Sequence, residues 1–371
     1  AADLRRALDM IRAAKAPVIV MGGGVVLADA CGLCIEFAER MGIPVITTYM
    51  AKGCIPANHP LNAGIAGIQC GQPIGNKVFL DSDLVIGIGN RFTDRHTGAL
   101  PVYRGDRKFI HINIEEAELG KIFPADLAIR SDAKAALLML LEEASKLPAQ
   151  APAGRVAALP ALRAELRRKT DYDNMPIMPQ RAFEEMNRAF GDDVIYTTGC
   201  GITQIWSGQL QEVNRPRRYL PSGGAGTLGY DIPAAFGAMV ATGGKTKAVA
   251  VMGDFGFTFH VQELAVAAKF GMPLIVAIIN NAYLGLIRQN QKYAFGYEYA
   301  VEMAENQGTM DYVKVAEGFG CAGERVFDPA ELPAAFKRAL ESKVPYVVDI
   351  VCEPTADCSM GGDIEHVREF R

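Results

Sequence analysis

The chain has 371 residues, half of them hydrophobic and 22% charged, with a formal net charge of -4 and a pI of about 5.9. That length calls for two or more domains with separate cores, and the mild acidity excludes a phosphate-backbone binder, which needs a basic face. The longest apolar stretch, residues 272–287, is interrupted by Asn280 and Asn281 and is too short and polar to cross a bilayer; without a signal-peptide pattern, a cytoplasmic protein is expected.

Leu4, Ala7, Leu8 and Ile11 mark the apolar face of an opening helix. Short apolar runs at 17–21, 44–48, 83–88 and 108–114 follow, with helical patterns near 27–41 and 133–147. Such runs predict buried parallel strands in a doubly wound α/β domain. Residues 147–155, LPAQAPAGR, have no periodicity and read as a linker, with a charged helix expected over 156–170. Further strands are predicted at 194–197, 247–253, 274–280 and 346–352, and helices at 261–270, 312–319 and 329–342. The expected organisation is a first α/β domain over 1–150, a linker and connecting helix over 151–178, and a second parallel-sheet domain over 179–371 with an irregular tail from Pro354. Of the eight cysteines only Cys31 and Cys34 are close, and no second pair completes a zinc site. They read as small apolar helix residues.

The most specific motif is GDFGF at 253–257 followed by NNAYLG at 280–285. Asp254 and Asn281 stand at the carboxyl ends of successive predicted strands, where parallel sheets border their ligand crevice. A hard cation such as Mg²⁺ requires oxygen ligands in near-octahedral array. Asp254, Asn281 and the carbonyl of Tyr283 supply half a shell; diphosphate oxygens and water complete it. Gly253 lets the backbone approach the phosphates. Gly201, Ile202 and Thr203 lie between a strand and a helix, in the place where free N–H groups hold phosphate.

These segments resemble the GDG…NN motif of thiamine diphosphate (ThDP) enzymes, with Phe255 standing where glycine is usual. SGGAGTLGYDIPAAFGA at 222–238 is similar to a segment of the acetohydroxyacid synthase-like members. The resemblance implies that Leu228 wedges the cofactor into a bent shape and that Thr227, Leu284 and Gly285 line its site. GNRFTDRHTG at 89–98 resembles the FAD-binding middle-domain signature of the same superfamily, accompanied in order by GGG at 22–24, TTYM at 47–50, GIAGIQ at 64–69 and SDA at 131–133. FAD is therefore expected on Gly22, Gly23, Gly24, Gly89, Arg91, Arg95, Asp132 and Ala133. The glycines would admit a diphosphate, the arginines would bond it, and Asp132 would accept from adenine or ribose.

Within the superfamily, NNAYLGLIRQNQ at 280–291, FTFHVQELAVAAKF at 257–270, YVKVAEGFGC at 312–321 and SMGGDIEHVREF at 359–370 look like the glyoxylate carboligase branch. The implied reaction joins two glyoxylates to tartronate semialdehyde and CO₂, with FAD redox-silent. Arg288 and Asn90 are candidates for holding the substrate carboxylate. The resemblance also implies a pyrimidine-binding domain ahead of residue 1, so that this chain is two domains of three, and a homodimer or homotetramer. His96, His111 and His260 have no motif support and read as structural. The alternatives are a pyruvate-using acetolactate synthase-like enzyme and, in another class, a non-catalytic nucleotide-binding subunit.

Overall fold

The computed structural model describes residues 2–148, 154–303 and 310–369. The first residue of the expected opening helix, the middle of the expected linker (149–153) and the end of the tail (370–371) lie outside the described residues. The chain divides into two compact units: Ala1–Arg168 with Val213–Arg217 and Ser359–Glu369, and Lys169–Glu212 with Arg218–Cys358 and the last two residues.

The first unit opens with helix α1 (Ala2–Ala13), whose buried face is Leu4, Ala7, Leu8 and Ile11. Burying each large aliphatic side chain contributes about 1.5–3 kcal/mol. Strand β1 (Pro17–Met21), helices α2 (Gly23–Leu27) and α3 (Cys31–Met41), and strands β2 (Val45–Thr47) and β3 (Asn62–Ile65) follow. Then come α4 (Pro73–Leu80), β4 (Leu84–Ile88), α5 (Asp94–Thr97), α6 (Leu100–Arg104), β5 (Lys108–Asn113), β6 (Leu127–Arg130) and α7 (Ala133–Ser145). The helix expected near 27–41 is α3, which begins at Cys31; the short α2 precedes it, and Asp29 between them takes φ 52°. The charged helix expected over 156–170 is two short ones, α8 (Gly154–Ala157) and α9 (Leu159–Glu165).

All strands of this sheet are parallel, in the order β3-β2-β1-β4-β5-β6. The order reverses between β1 and β4, and the carboxyl ends of that pair border the crevice of a doubly wound fold.

The second unit contains α10 (Pro179–Phe190), β7 (Val194–Thr198), α11 (Ile202–Leu210), β8 (Tyr219–Pro221) and α12 (Asp231–Ala241). It continues with β9 (Lys247–Gly253), α13 (Asp254–Phe257), α14 (Glu263–Lys269), β10 (Ile275–Asn280) and α15 (Gly285–Asn290). It closes with α16 (Tyr312–Gly318), β11 (Ala322–Val326), α17 (Leu332–Glu341) and β12 (Tyr346–Val351). This sheet is also parallel, in the order β11-β12-β10-β9-β7-β8. Two doubly wound parallel-sheet domains are what the apolar runs predict.

The tail is irregular as expected, but it packs with the first unit. Ala99 N–H donates to Gly362 O at 2.9 Å and Gly361 N–H to Ile68 O at 3.1 Å. Ile364 is buried in the first core, and Arg168 grips both oxygens of Glu369 at 2.7 and 2.8 Å. Among the described residues no helix is long and apolar enough to cross a membrane.

Candidate cofactor site

In the second unit, parallel register sets the site. Ile279 of β10 lies opposite Gly253 of β9, so Asp254 and Asn281 leave adjacent strands at one height. Asp254 is 2% exposed. Its Oδ1 accepts from Phe255 N–H and its Oδ2 from Ala282 N–H, both at 2.8 Å. Burial outweighs these bonds and raises its pKa to about 6. A cation at the carboxylate would reverse that penalty.

Asn281 is 3% exposed, and its amide Nδ2 has no hydrogen-bond partner. A half-turn exchanges the nitrogen and oxygen of a side-chain amide, so this open position can present an oxygen ligand. Ala282 takes φ 56°. Leu284, at φ -70° and ψ 67°, then forms an inverse γ-turn in which Gly285 N–H donates to Tyr283 O at 2.7 Å. That carbonyl keeps a second lone pair. Among the described residues no group of three or more His, Cys, Asp and Glu could hold a metal. One carboxylate, one amide and one carbonyl are oxygen donors of the kind a hard cation takes when other ligands complete its shell.

Of the other residues expected in this unit, Ile202, Thr203, Leu228 and Gly285 have contacts around these turns. Gly201, at φ 91°, caps α11, and Thr203 Oγ1 lies 3.3 Å from where a Cβ of Gly253 would stand. A Cβ on Gly285 would lie 2.8 Å from the Ile202 side chain and 2.9 Å from the Asn281 amide nitrogen, so the two turns touch where glycine is needed. Leu228 Cδ2 lies 3.9 Å from the Cβ position of Gly256. Thr227 is exposed, and its N–H donates to Ser222 Oγ at 3.1 Å. Phe255 packs edge-on against Phe259 with centroids 5.3 Å apart.

Arg288 does not offer a free guanidinium. Its side chain is 3% exposed, NH1 donates to Asp357 Oδ1 at 3.0 Å, and Nε lies 3.2 Å from Glu298 Oε2 without hydrogen-bond geometry. Lys292 and Tyr293 also reach Asp357 Oδ2, at 3.2 and 2.9 Å. Two of the chain's own carboxylates thus lie against the charge expected to meet a substrate carboxylate.

Sequence reasoning missed three supporting groups. Asp349, fully buried on β12, accepts from Asn280 Nδ2 at 2.9 Å and from Arg325 Nε at 2.6 Å, steadying the residue before Asn281. Asp357 joins the Arg288 pair, and its carbonyl accepts from Trp206 Nε1 at 3.2 Å. Asp231 is the third. A lone Asp in a strand, at a helix start or in an irregular tail carries no spacing signal that would have found them.

In the first unit, the expected FAD residues Gly22–Gly24, Gly89 and Arg91 follow β1 and β4, Asp132 and Ala133 follow β6, and the glycines bring two turns of the chain together. A Cβ on Gly22 would lie 2.5 Å from Asn90 Cβ, and one on Gly24 2.7 Å from Gly89 Cα. Gly24 N–H donates to Gly89 O at 2.8 Å, and Gly89 takes φ 62°. The close approach is between two turns of this chain, and Gly23 packs near Met50. Asn90 is buried; Nδ2 donates to Val20 O at 3.2 Å, and its carbonyl accepts from His111 Nε2 at 2.9 Å and Asn113 Nδ2 at 2.8 Å. Its Oδ1 is buried without a partner. The side chain thus holds the switch-point turn.

Arg91 is exposed, and Arg95 Nε donates to Gln69 Oε1 at 2.6 Å. Asp132 caps α7 by accepting from Ala135 N–H at 3.1 Å, with Ala133 buried behind it. His96 is buried, 2.8 Å from the Tyr103 hydroxyl, and burial lowers its pKa to about 4. His111 is buried against Asn90, whereas His260 is exposed at φ 58°.

Two doubly wound sheets, the second carrying Asp254 and Asn281 at its strand ends, define the class, and comparison with known families agrees. The model described as thiamine pyrophosphate enzyme, central domain, matches residues 4–140, and that described as thiamine pyrophosphate enzyme, C-terminal TPP binding domain, matches residues 199–350. The chain belongs to the thiamine diphosphate enzyme family. Among curated relatives it is 45% identical to glyoxylate carboligase of Escherichia coli O157:H7, over 99% of this chain and 64% of that protein. It is 39% identical to the acetolactate synthase large subunit of Corynebacterium glutamicum, over 95% of this chain and 57% of the relative. It is 34% identical to the probable acetolactate synthase large subunit of Methanocaldococcus jannaschii, over 98% and 63%. The chain thus spans less than two thirds of the length of each of these relatives.

Proposed function

We propose that this chain holds thiamine diphosphate and Mg²⁺ in its second unit and serves a carboligase that joins two glyoxylates to tartronate semialdehyde with release of CO₂. The observation that carries the cofactor reading is the buried Asp254 carboxylate beside the unpartnered Asn281 amide. The substrate rests on the likeness to glyoxylate carboligase.

Asp254, Asn281 and the Tyr283 carbonyl would hold the cation. The amides of 201–203 would hold the diphosphate at the start of α11. Leu228, beside Gly256, is the apolar wall on which the cofactor would bend. When bound, thiamine diphosphate supplies the electron sink for decarboxylation and carbon–carbon bond formation. The chain's residues orient it, and the apolar wall excludes water. FAD is assigned to the β1/β4 crevice of the first unit, where Asn90 Oδ1 has an open position; it undergoes no net redox change. The site is taken to work within a homodimer or homotetramer in the cytoplasm.

A pyruvate-using, acetolactate-forming enzyme is the second reading, favoured by the 39% identity to an acetolactate synthase large subunit. The test is product analysis with Mg²⁺, thiamine diphosphate and FAD present, offering glyoxylate and pyruvate separately. Tartronate semialdehyde from glyoxylate supports the first reading. Acetolactate from pyruvate alone transfers the assignment to the second. Absence of thiamine diphosphate binding in calorimetry defeats both.

A further inference from the structure

Asp231 opens α12 and is 2% exposed. Its carboxylate faces the end of β7, where Oδ1 accepts the amide N–H of Gly199. Its own carbonyl accepts from Thr197 Oγ1 at 2.8 Å, so the residue is tied to β7 twice. Gly199 is fitted against it: a Cβ there would fall 2.5 Å from Asp231 Oδ2. The other side of the same turn is held too. Gln204 Nε2 donates to the Gly199 carbonyl and, at 3.3 Å, to Ser222 O. The Gly199 residue is thus fixed at its N–H by Asp231 and at its C=O by Gln204. Only Cys200 separates it from Gly201, Ile202 and Thr203.

Burying a carboxyl group here is costly. Desolvation raises its pKa to about 7, and the amides that oppose the rise are its own and that of Gly199. Tyr230, the neighbouring titratable side chain, is itself shifted upward, first by burial and then by Asp231. A residue needed only to start α12 would gain as much from an exposed carboxylate at the helix N-terminus. The buried direction, toward Gly199, is what such a role leaves unexplained.

We propose that Asp231 is a positioning residue that fixes the Gly199 peptide and so sets the 201–203 turn to receive the diphosphate of thiamine diphosphate. This rests on the cofactor reading above. What the turn requires is an oxygen acceptor at the Gly199 N–H, and an uncharged one suffices.

The test titrates thiamine diphosphate with Mg²⁺ into the 371-residue chain and three variants by calorimetry, with a thermal melt of each taken without cofactor. Asp231→Asn keeps an acceptor oxygen and is expected to bind within about threefold of the parent. Asp231→Leu keeps the bulk without the acceptor and is expected to bind about tenfold or more weakly, the effect of losing one buried hydrogen bond to the turn. Gly199→Ala displaces the carboxyl and is expected to match the leucine variant; it carries the test if Asp231→Leu does not melt cooperatively. Equal affinity in parent, leucine and alanine variants overturns the inference. So does an asparagine variant as weak as the leucine one, since the acceptor would then not be the requirement. A parent chain that fails to bind thiamine diphosphate defeats the cofactor reading itself, a result distinct from a binding parent with indifferent variants.

Discussion

The two crevices of this molecule solve opposite packing problems. At the β1/β4 switch point the glycine-rich turn is filled by its own chain, with Gly22 and Gly24 pressed against Gly89 and Asn90. At the ends of β9 and β10 the buried polar groups are left short of partners: Asp254 has a raised pKa and Asn281 an unpartnered amide nitrogen. Glycine records that something comes close, and here that something is backbone. A buried polar atom with unused bonding capacity asks for a ligand, because leaving it bare costs about 1–3 kcal/mol. Each crevice leaves one such atom, Asn90 Oδ1 in the first and Asn281 Nδ2 in the second, but in the second it stands beside a buried carboxylate of raised pKa, which makes the case for a bound group stronger there.

The largest expected effect comes from Arg288. If its role is to neutralise Asp357 and Glu298, Arg288→Met leaves the buried Asp357 carboxylate to Lys292 and Tyr293 alone and lowers stability by about 3 kcal/mol in thermal or urea melts. An unchanged melt with a raised KM for glyoxylate would instead restore Arg288 as a substrate anchor. Next is Asp254→Ala, which removes the one anionic ligand of the candidate cation site. Affinity for thiamine diphosphate in the presence of Mg²⁺ should drop at least a hundredfold, about 2.7 kcal/mol, with flavin binding unaltered. Retained affinity refutes the site.

Gly22→Ala sharpens the contrast from the other side. Forcing a Cβ against Gly89 and Asn90 should cost about 2–3 kcal/mol of stability whether or not FAD is present. Flavin loss without destabilisation would mean the glycine serves the ligand after all. Asp231 gives a smaller, pH-dependent effect. Its folded pKa, near 7, lies above its ordinary value of 3.8. Between those values the folded state binds more protons than the unfolded, so stability falls as pH rises toward 7. Asp231→Asn removes that term. The variant's advantage over the parent should therefore be larger at pH 8 than at pH 5, by about 1–2 kcal/mol; equal offsets at both pH values would contradict the shift. Smallest is Asp132→Ala, expected to cost about 0.5–1 kcal/mol through its lost cap on α7. A loss of FAD affinity beyond that would return Asp132 to the adenine or ribose.

The legible part of the fold was its interior. β1, β2, β4, β5, β7, β9, β10 and β12 stand where continuous apolar runs placed them, because strands buried on both faces must be apolar throughout. The strands that the sequence concealed, β3, β6, β8 and β11, are the four sheet edges. An edge strand has one neighbour and mixed exposure, as LAIR of β6 alternates buried and exposed, so its signal fades into that of a loop. The site divides the same way. Asp254 and Asn281 were legible because each ends an apolar run. Asp231, Asp349 and Asp357 were not, since what gives them meaning is a partner 32 to 69 residues away.

The tail carries a consequence for synthesis. Ser359–Glu369 completes the first unit, yet it leaves the ribosome only after all of the second unit's sheet has been made. Domains generally fold in the order they emerge, but here the earlier one must wait, its Ile68 and Ala99 backbone groups unsealed, for a segment nearly 200 residues downstream of its last helix α9 to close it. The two units are therefore linked in time as well as in sequence, and a nascent chain stopped anywhere short of that segment presents an unfinished first unit to the chaperones around it.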